Sequence, residues 1–161
     1  IPFENIDVVV HPQSMIHSMV SFSDGNILAQ LGPPDMRYPI QYVLTYPEKK
    51  GCPWPKLTLS DLQDLQFFKP DTTKFPLLSL AYEMGKKGGS YPVVLNAANE
   101  AIVGLFLQER ISFVDIYNLI KYVITTTHHQ DDPSLEDIVS IDLDVKNRVN
   151  HDNFLKECHA L

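Results

Sequence analysis

The stretch that decides the fold reads His11-Pro-Gln-Ser-Met-Ile-His-Ser18, passes through Asp24-Gly25, and continues as Leu31-Gly-Pro-Pro-Asp-Met-Arg-Tyr-Pro39. Proline removes a backbone donor and biases the residue before it toward extended geometry, so these polar segments are poor scaffolding. Asp-Gly between alternating apolar residues is a strong hairpin signal, because Gly accepts the positive φ of a tight turn. We therefore predict two strands, Ile16–Phe22 and Asn26–Leu31, with a binding rim formed by the two flanking segments.

The segments around this hairpin have simpler patterns. Ile6–Val10 is rich in β-branched residues and stops at His11-Pro12, which is typical of a buried strand. Met36–Tyr46 is predicted to be a short helix with Pro39 near its start, where a missing N–H costs little. Residues 47–74 contain four prolines that break any long element, although Leu57–Leu65 could hold a helical turn or two. We predict that residues 47–74 are a surface linker after a first part made of residues 1–46.

Apolar residues repeat at helical spacing through residues 75–161, which we predict to be a helical domain. Pro76 opens the first helix, Gly88-Gly89 end it, and Asn96 is the expected N-cap of the second. The Ser-x-x-Asp pattern at Ser112 and Ser134 predicts capping boxes for the third and fourth, and we expect the fourth to be broken near Ile141-Asp142. The fold class is therefore α+β, a hairpin element followed by a helical bundle.

Composition excludes several classes of function. The chain has 161 residues and a formal net charge of −7, which argues against a nucleic-acid or anionic-membrane surface. No run of about eighteen apolar residues occurs, so a transmembrane helix is not expected. The two cysteines are far apart and fit a reducing compartment better than a disulfide scaffold. The first residue is Ile1, not Met, so we interpret the chain as a fragment.

Few residues have the spacing of a metal site or of a catalytic motif. His11 and His17 are six residues apart, about 20 Å in an extended chain, so they are not expected to share a metal. His128-His129 are expected to be solvated in a loop. Glu100 could act as a helix cap or as a contact, and Asn96 with Asn99 could pair with backbone across a domain junction or serve as ordinary caps. No GxSxG, P-loop or GxGxxG pattern occurs, so the chain lacks the parts of a self-sufficient active site.

Three motifs carry a resemblance to a known family. They are HPQSMIHSMV at residues 11–20, LAQLGPPDMRYPI at residues 28–40 and LNAANE at residues 95–100. In this order they resemble the C-terminal part of 1-deoxy-D-xylulose 5-phosphate reductoisomerases. The resemblance implies a preceding NADPH-binding Rossmann domain and an α/β catalytic domain with a divalent metal, Mn²⁺ or Mg²⁺. The hairpin would then be the end of that truncated α/β catalytic domain, followed by the linker and the helical C-terminal domain.

The resemblance also implies roles for individual residues. His11 resembles a catalytic residue bordering the substrate pocket, while Pro34 and Met36 resemble cofactor-binding positions near the nicotinamide. Asp35 and Arg37 would hold that loop in place. The family's metal ligands and dinucleotide fingerprint have no counterpart here, so no metal ligand is expected in this chain and no cofactor is expected to bind it alone. The intact enzyme would act in non-mevalonate isoprene biosynthesis on a phosphorylated sugar.

Two readings of function follow. The first is a fragment, inactive alone, of an NADPH- and metal-dependent reductoisomerase that makes 2-C-methyl-D-erythritol 4-phosphate; the location would be cytoplasmic in a bacterium and a plastid-type organelle in a eukaryote. The second is a free-standing helical interaction or oligomerisation module without a catalytic role. An upstream reading frame that encodes a Rossmann fingerprint would favour the first, and a stop codon followed by an initiator Met the second.

The hairpin is also where the family resemblance suggests that two copies pair. Its predicted inner face would need a packing partner, because burying each such side chain is worth about 1.5–3 kcal/mol. An open strand edge favours the same pairing. We therefore predict a homodimer held by residues 16–31, through a face composed of Val20, Phe22, Ile27, Ala29 and Leu31.

Overall fold

A computed structural model describes residues 1–58, 60, 62 and 64–159. Over that range the fold is α+β, as the sequence predicted, and the chain forms two compact units. One unit is Asp7–Pro70, and the other combines Ile1–Ile6 with Asp71–Leu161. After a 3-10 turn at Phe3–Asn5, the elements in chain order are β1 (Ile16–Ser21), β2 (Ile27–Leu31), α1 (Arg37–Thr45), α2 (Leu77–Lys87), α3 (Tyr91–Leu107), α4 (Phe113–Thr126), α5 (Leu135–Asn150) and α6 (Phe154–His159).

The predicted hairpin is confirmed. β1 and β2 pair antiparallel, and Gly25 has a φ of 89°, a value that a residue with a side chain rarely adopts. The amide of Gly25 donates to the carbonyl of Phe22 at 3.0 Å, and the amide of Phe22 donates to the carbonyl of Asn26 at 2.9 Å. The Asp24 carboxylate accepts from the amide of Asn26 at 2.9 Å. The loop therefore contains three residues, 23–25, and ends in the left-handed position.

This loop length makes the predicted apolar face wrong. Val20 pairs with Leu28, and Met19 pairs with Ala29. Because paired residues share a face, Val20 lies on the side opposite Ala29. The predicted apolar face corresponds to the register that a two-residue turn would give. Lengthening the turn by one residue shifts the register by one residue, which moves the side chains of one strand to the other face of the hairpin. Both faces of the hairpin in fact carry exposed apolar side chains, since Val20 and Leu28 are exposed on one and Ile27 on the other.

β1 contains a β-bulge at His17. Ile16 pairs with Leu31 and Ser18 pairs with Gln30, so β1 advances two residues while β2 advances one. The extra residue of a bulge is left outside the ladder, and the local twist increases, which re-aims its side chain. The bulge lies at the point where β2 ends and the segment Gly32–Met36 begins.

The predicted buried strand over Ile6–Val10 is wrong. Val8, Val9 and Val10 are exposed, and Val10 forms a single antiparallel bridge with Phe68. The two amides donate to each other's carbonyls at 2.9 Å. A β-branched run becomes a buried strand only where neighbouring strands cover it, and in the described part of this unit only Phe68 pairs with it.

The predicted helix at Met36–Tyr46 is confirmed as α1. Residues beyond it, up to Pro70, belong to the same compact unit as the hairpin. Gln41 Nε2 donates to the backbone carbonyls of Lys50 and Gly51, both at 3.2 Å. These hydrogen bonds hold this part of the chain against α1. The turn predicted within Leu57–Leu65 involves residues 59, 61 and 63, which lie outside the described residues. The linker bounds at 47 and 74 stay a prediction.

The helical unit is built around α3. The predicted N-cap at Asn96 is wrong, because α3 begins at Tyr91 with Pro92 in its first turn, where a fixed φ favours helix entry. Helices α2, α4 and α5 all pack on α3. Phe113, the first residue of α4, is exposed. The buried core consists of Leu80, Met84, Val94, Ala97, Ala98, Ala101, Ile102, Leu105, Ile116, Leu119, Ile120, Val123, Ile124, Val145, Val149 and Phe154.

Both predicted capping boxes are confirmed. The amide of Ser134 donates to the Asp137 carboxylate at 3.0 Å, and the amide of Asp137 donates to Ser134 Oγ at 3.1 Å. The pKa of Asp137 is lowered by the hydroxyl and amide of Ser134. The amide of Ser112 donates to the Asp115 carboxylate at 2.8 Å in the same way. These contacts satisfy amides that a helix start leaves without partners.

The predicted break near Ile141-Asp142 is wrong, because α5 runs without interruption and the break falls between Asn150 and Phe154. No Gly or Pro occurs at the predicted point. Asp142 also pairs with Lys146 one turn later at 2.9 Å, an arrangement that supports a continuous helix.

The turn between α2 and α3 is fastened to the loop that follows α4. Ser90 is fully buried; its amide donates to the Gln130 carbonyl and its Oγ accepts from the Gln130 amide, both at 2.9 Å. The prediction that both His128 and His129 are solvated is wrong for His129, whose ring stacks on Tyr91 with centroids 3.6 Å apart. His129 Nε2 lies 2.8 Å from the Ile124 carbonyl and therefore donates to it.

Gly89→Ala should destabilise the helical unit by about 2–3 kcal/mol, because Gly89 has a left-handed φ and an added methyl would conflict with backbone. Its φ is 53°, and a Cβ would lie 2.3 Å from the Gln130 carbonyl oxygen. Gly104→Ala is the matched control, since a Cβ there meets nothing within 4 Å and Ala favours a helix by about 1 kcal/mol. Urea unfolding of both variants measures the difference, and equal stability would contradict this account.

Candidate functional site

The predicted site residues lie in two segments of the unit Asp7–Pro70. His11 follows Val10 at the bridge to Phe68, whereas Pro34 and Met36 lie in the segment after β2. Among the described residues, no hydrogen bond or ring contact joins His11 to Pro34 or Met36. The two segments are therefore described separately, each with the contacts that hold it.

His11 is fixed through one ring nitrogen and one ring face. Its Nδ1 lies 2.9 Å from the Gln66 carbonyl oxygen, and its ring stacks on Phe67 with centroids 4.8 Å apart. A carbonyl oxygen only accepts, so Nδ1 carries the proton of the neutral ring and Nε2 keeps its lone pair. Nε2 is shielded from solvent and has no partner in the protein. The arrangement leaves one oriented acceptor, which suits a hydroxyl group of a ligand.

A second set of amide contacts supports this orientation. The Gln66 amide donates to Gln13 Oε1 at 3.2 Å, and Gln13 Nε2 donates to Gln66 Oε1 at 3.3 Å. Together with the Val10 and Phe68 bridge, these bonds fasten the chain on both sides of His11. Sequence reasoning missed Gln66 and Phe67, because they lie 55 and 56 residues along the chain from His11 and follow no local pattern.

The segment Gly32–Met36 is held at both ends. The amide of Gly32 donates to the Met15 carbonyl at 2.9 Å, and the amide of Asp35 donates to the Pro33 carbonyl at 2.6 Å. The Asp35 carboxylate accepts from Arg37 through the backbone amide at 3.0 Å, Nε at 2.9 Å and a terminal nitrogen at 2.5 Å. Such charge-assisted, multiple bonds fix geometry as well as distance.

The ion pair at the end of this segment shifts the pKa of both of its partners. Hydrogen bonds from Arg37 lower the pKa of the Asp35 carboxyl, and the same bonds raise the pKa of Arg37. The guanidinium also lies over the Trp54 ring, 4.7 Å from its centroid, and Trp54 meets Tyr38 edge to face at 5.5 Å. The lowered pKa keeps the Asp35 carboxyl ionised at neutral pH.

Pro34 and Met36 are both exposed between these two anchors, Met36 at 58%. Proline at 34 restricts the backbone next to it, so the segment presents its two apolar side chains with little freedom. An exposed Met adapts its shape to a flat apolar surface better than branched side chains do. Their role as cofactor contacts stays a prediction.

The LNAANE motif forms a polar network on α3 and α5. Asn96 Nδ2 donates to Glu100 at 2.9 Å, and Lys146 pairs with Glu100 at 2.7 Å. The pKa of Glu100 is lowered by its hydrogen bonds from Lys146 and Asn96. Asn96 therefore pairs with a side chain and not with a backbone group, and Glu100 acts as a contact and not as a cap.

Two classes of site can be tested on the described residues. Within residues 1–58, 60, 62 and 64–159, no group of three or more His, Cys, Asp and Glu side chains could hold a metal ion. Over the same described part, no helix is long and apolar enough to cross a membrane.

Comparisons with known proteins show which family this chain is similar to. The DXP reductoisomerase C-terminal domain family matches residues 31–148. The 1-deoxy-D-xylulose 5-phosphate reductoisomerase of Chloroherpeton thalassium is 51% identical over 147 residues, which are 91% of this chain and 38% of that protein. That of Acetivibrio thermocellus is 52% identical over 143 residues, 89% of this chain and 38% of that protein.

This chain is also similar to solved structures. The Zymomonas mobilis reductoisomerase in complex with NADPH superposes with a TM-score of 0.82 and 43% identity, over 92% of this chain and 39% of that one. A DOX-P reductoisomerase in complex with NADPH, fosmidomycin and magnesium superposes with a TM-score of 0.77 and 37% identity, over 88% of this chain and 37% of that one.

The fold and motifs thus define a C-terminal reductoisomerase segment. This chain belongs to the DXP reductoisomerase family. It spans about 38% of the length of the curated relatives it matches and corresponds to their C-terminal part.

The Asp35–Arg37 pair should make the order of its segment depend on acid pH. Because the pKa of Asp35 is lowered in the folded chain, the ion pair stabilises the folded segment at pH values above the ordinary carboxyl pKa of about 3.9. This stabilisation is lost as the pH falls through the lower pKa of the folded chain. The chemical shift of the Arg37 Nε–H in NMR should therefore stay constant from neutral pH to about pH 4 and change only below it, as Asp35 is protonated. Asp35→Asn should move this signal at every pH, whereas Asp64→Asn, at an exposed carboxylate, should not. A signal that is insensitive to Asp35→Asn would refute the assignment.

Proposed function

We propose that this chain is the C-terminal part of an NADPH- and divalent-metal-dependent reductoisomerase. The intact enzyme would convert 1-deoxy-D-xylulose 5-phosphate to 2-C-methyl-D-erythritol 4-phosphate in non-mevalonate isoprenoid biosynthesis. The observation that carries the proposal is the 51% identity over 91% of the chain with a named reductoisomerase. The chain alone is proposed to be inactive, because the site residues it contributes are one oriented acceptor and one apolar pair.

The residues of this chain fit a role at the edge of a nicotinamide and sugar site. Pro34 and Met36 are exposed apolar side chains on a segment fixed at both ends, which suits packing against a flat ring. The shielded lone pair of His11 Nε2 has no partner within the chain, which suits a donor from outside it. A solved relative contains NADPH, fosmidomycin and magnesium, and we infer that NADPH and a phosphorylated substrate meet these residues here.

Each residue then has a defined task. NADPH supplies the hydride when it is bound. Pro34 and Met36 orient the nicotinamide ring and exclude water from one side of it. The Asp35–Arg37 pair keeps the side chains of Pro34 and Met36 in place. His11 accepts a hydrogen bond from a substrate hydroxyl at Nε2, and the bond from Nδ1 to Gln66 fixes the tautomer that allows this.

We assign no metal ligand to this chain. Within the described residues, none of the His, Cys, Asp and Glu side chains forms a suitable group, so the proposal places the ligands elsewhere in the intact enzyme. A relative was solved with magnesium, and manganese is proposed as an alternative metal. A cytoplasmic location, or a plastid-type organelle in a eukaryote, is likewise proposed.

An intact reductoisomerase containing this sequence should oxidise NADPH when 1-deoxy-D-xylulose 5-phosphate is added. His11→Asn should lower kcat about 100-fold, because Asn retains a donor near the Nδ1 position but has no group at the Nε2 position. Stopped assays of NADPH absorbance measure the rate. Thermal unfolding should remain close to that of the wild type, since the bond to Gln66 is kept.

His128→Asn is the matched control, because His128 is exposed in the loop after α4 and should leave the rate unchanged. The isolated chain should show neither turnover nor saturable NADPH fluorescence. An intact protein without activity on this substrate, or micromolar NADPH binding by the isolated chain, would overturn the proposal.

We further propose that two copies associate through residues 16–31. Three observations support it: the apolar side chains Val20, Ile27 and Leu28 are exposed on both hairpin faces, the sheet has only two strands in the described chain, and the edges of such a sheet are open. Pairing across a two-fold axis covers apolar side chains and satisfies the open edge together.

Val20→Lys should convert the dimer to a monomer in light scattering, because it places a charge within the proposed interface. Leu135→Lys is the control, because it also places a lysine at an exposed apolar position but lies on α5 in the helical unit. A monomeric wild type, or a dimer lost with Leu135→Lys and kept with Val20→Lys, would refute the proposed interface.

A further inference from the structure

The first six residues of the chain belong to the helical unit, although residues 7–70 of the other unit separate them from it in sequence. They contain the 3-10 turn Phe3–Asn5, which contacts α2. The hydroxyl of Tyr82 on α2 donates to the carbonyl of Ile6 at 2.7 Å. The helical unit is therefore completed by a segment that comes before the other unit in the chain.

The ring of Phe3 lies directly against the backbone of α2 at Gly85. A Cβ built on Gly85 would lie 2.3 Å from Phe3 Cζ and 2.4 Å from Phe3 Cε1, so a residue with a side chain does not fit there while the ring is in place. A glycine inside a helix is less favourable than an alanine. The space that the Phe3 ring needs accounts for a glycine at this position of α2.

Phe3 fills only one end of a longer groove between α2 and α3. The groove has a volume of about 500 Å³ and is open to solvent on one side. Its α2 wall runs from Leu78 through Ala81 to Gly85, and its α3 wall includes Leu95, Asn96 and Asn99. The α2 wall is about 10 Å long at 1.5 Å per residue, which is enough for about three residues of extended chain.

The two walls of the groove differ in chemistry. Leu78 and Ala81 make the α2 wall apolar, whereas Asn96 and Asn99 place side-chain amides on the α3 wall. Asn96 uses its Nδ2 for Glu100, and within the part of the chain that the structure describes the Asn99 amide makes no hydrogen bond. An extended chain presents a donor and an acceptor at each residue, and an asparagine amide can bond to both. The groove therefore suits a peptide segment with apolar side chains toward α2.

The position of the chain's first residues identifies which segment this is. Ile1 is 98% exposed and lies at most about 7 Å along the chain from Phe3. The family model that this chain matches is a C-terminal domain, and the chain spans 38% of the length of a curated relative, so in such relatives more chain precedes this part. A small molecule would leave much of its surface in water in a groove that is open on one side.

We propose that the groove between α2 and α3 holds the residues that directly precede Ile1 in the intact protein, with Phe3 as the anchor at one end. Apolar side chains of that segment contact Leu78 and Ala81, and its backbone bonds to the amide of Asn99. The identity of the occupant rests on the proposed function, because it requires a chain that continues upstream. The contact of Phe3 with Gly85 is a property of this chain alone.

The anchor can be tested on the chain itself. Nuclear Overhauser effects should connect the ring protons of Phe3 with the Hα protons of Gly85. Gly85→Ala should abolish the contact of the ring with this turn of α2, because the added methyl takes the position of the ring, while the helical circular dichroism is retained. Gly104→Ala is the matched control, since this glycine also lies inside a helix but a Cβ there meets nothing within 4 Å. A ring contact that is missing from the wild type, or that persists in Gly85→Ala, would overturn the anchor.

Photo-crosslinking in the intact protein identifies the occupant. The photoreactive residue p-benzoylphenylalanine in place of Leu78 should form an intramolecular crosslink to a peptide from the residues directly before Ile1, detected by mass spectrometry after proteolysis. Combining it with Gly85→Ala should reduce the yield of this product several-fold, whereas Gly104→Ala should not. The same photoreactive residue in place of Leu107, which is exposed in the last turn of α3, should not give the product.

A crosslink from the Leu78 position to any other part of the chain, a product of twice the mass from a second copy, or no crosslink at all would overturn the proposal. The same product from the Leu107 position would overturn it as well. If the Leu78 variant does not fold, the exposed Pro92 lines the same groove and takes its place. An intact protein that is inactive on 1-deoxy-D-xylulose 5-phosphate would contradict the proposed function but not the crosslink.

Discussion

The burial of α3 is the interaction on which the helical unit depends. Helices α2, α4 and α5 pack on it, and three of its buried residues are alanines, Ala97, Ala98 and Ala101. Small side chains allow neighbouring backbones to approach closely, so the packing around α3 leaves little room for change. The exposed stripe of the helix is left for polar residues, and Asn96 and Glu100 of the LNAANE motif occupy it.

The unit Asp7–Pro70 is held together in a different way. Among its described residues only Gly32 is buried, while many large apolar side chains are exposed. Its order comes from specific polar contacts, such as the Asp35–Arg37 pair and the bond from His11 to Gln66. Directional contacts can fix geometry without contributing much net stability, because folding forms them in exchange for bonds to water that are lost. Such a unit places site residues well but gains stability mainly when another surface covers it.

Local signals were predictable from the sequence, and tertiary choices were not. Asp24-Gly25 and the two Ser-x-x-Asp boxes predict a turn and two helix starts, since each forms from residues at most three apart. The faces of the hairpin depend on whether its loop has two residues or three, and the sequence permits both. Ile6–Val10 has the composition of a buried strand, but its exposure depends on which strands lie beside it.

The same distinction applies to the candidate site. His11, Pro34 and Met36 could be selected through motifs, because motifs preserve residue types. The residues that orient them could not be predicted, since Gln66, which binds His11, is 55 residues away in the sequence. The bulge that aims His17 leaves no pattern in the sequence either.

Unpartnered polar atoms and exposed apolar side chains occur together in the unit Asp7–Pro70, and one physical cause accounts for both. His11 Nε2, His17 and Gln30 Oε1 are shielded without a bond, while Val20, Ile27 and Met36 are open to water. Each arrangement is costly alone, and both costs fall when a polar and apolar surface from outside the unit is added. In the function that we propose, a substrate hydroxyl would meet the first need at His11, a nicotinamide ring would meet the second at Met36, and a second copy would meet it at the hairpin. Under that proposal the unit is one side of a site, and the hydrogen bonds of His11 and Asp35 set its geometry before the other side is added.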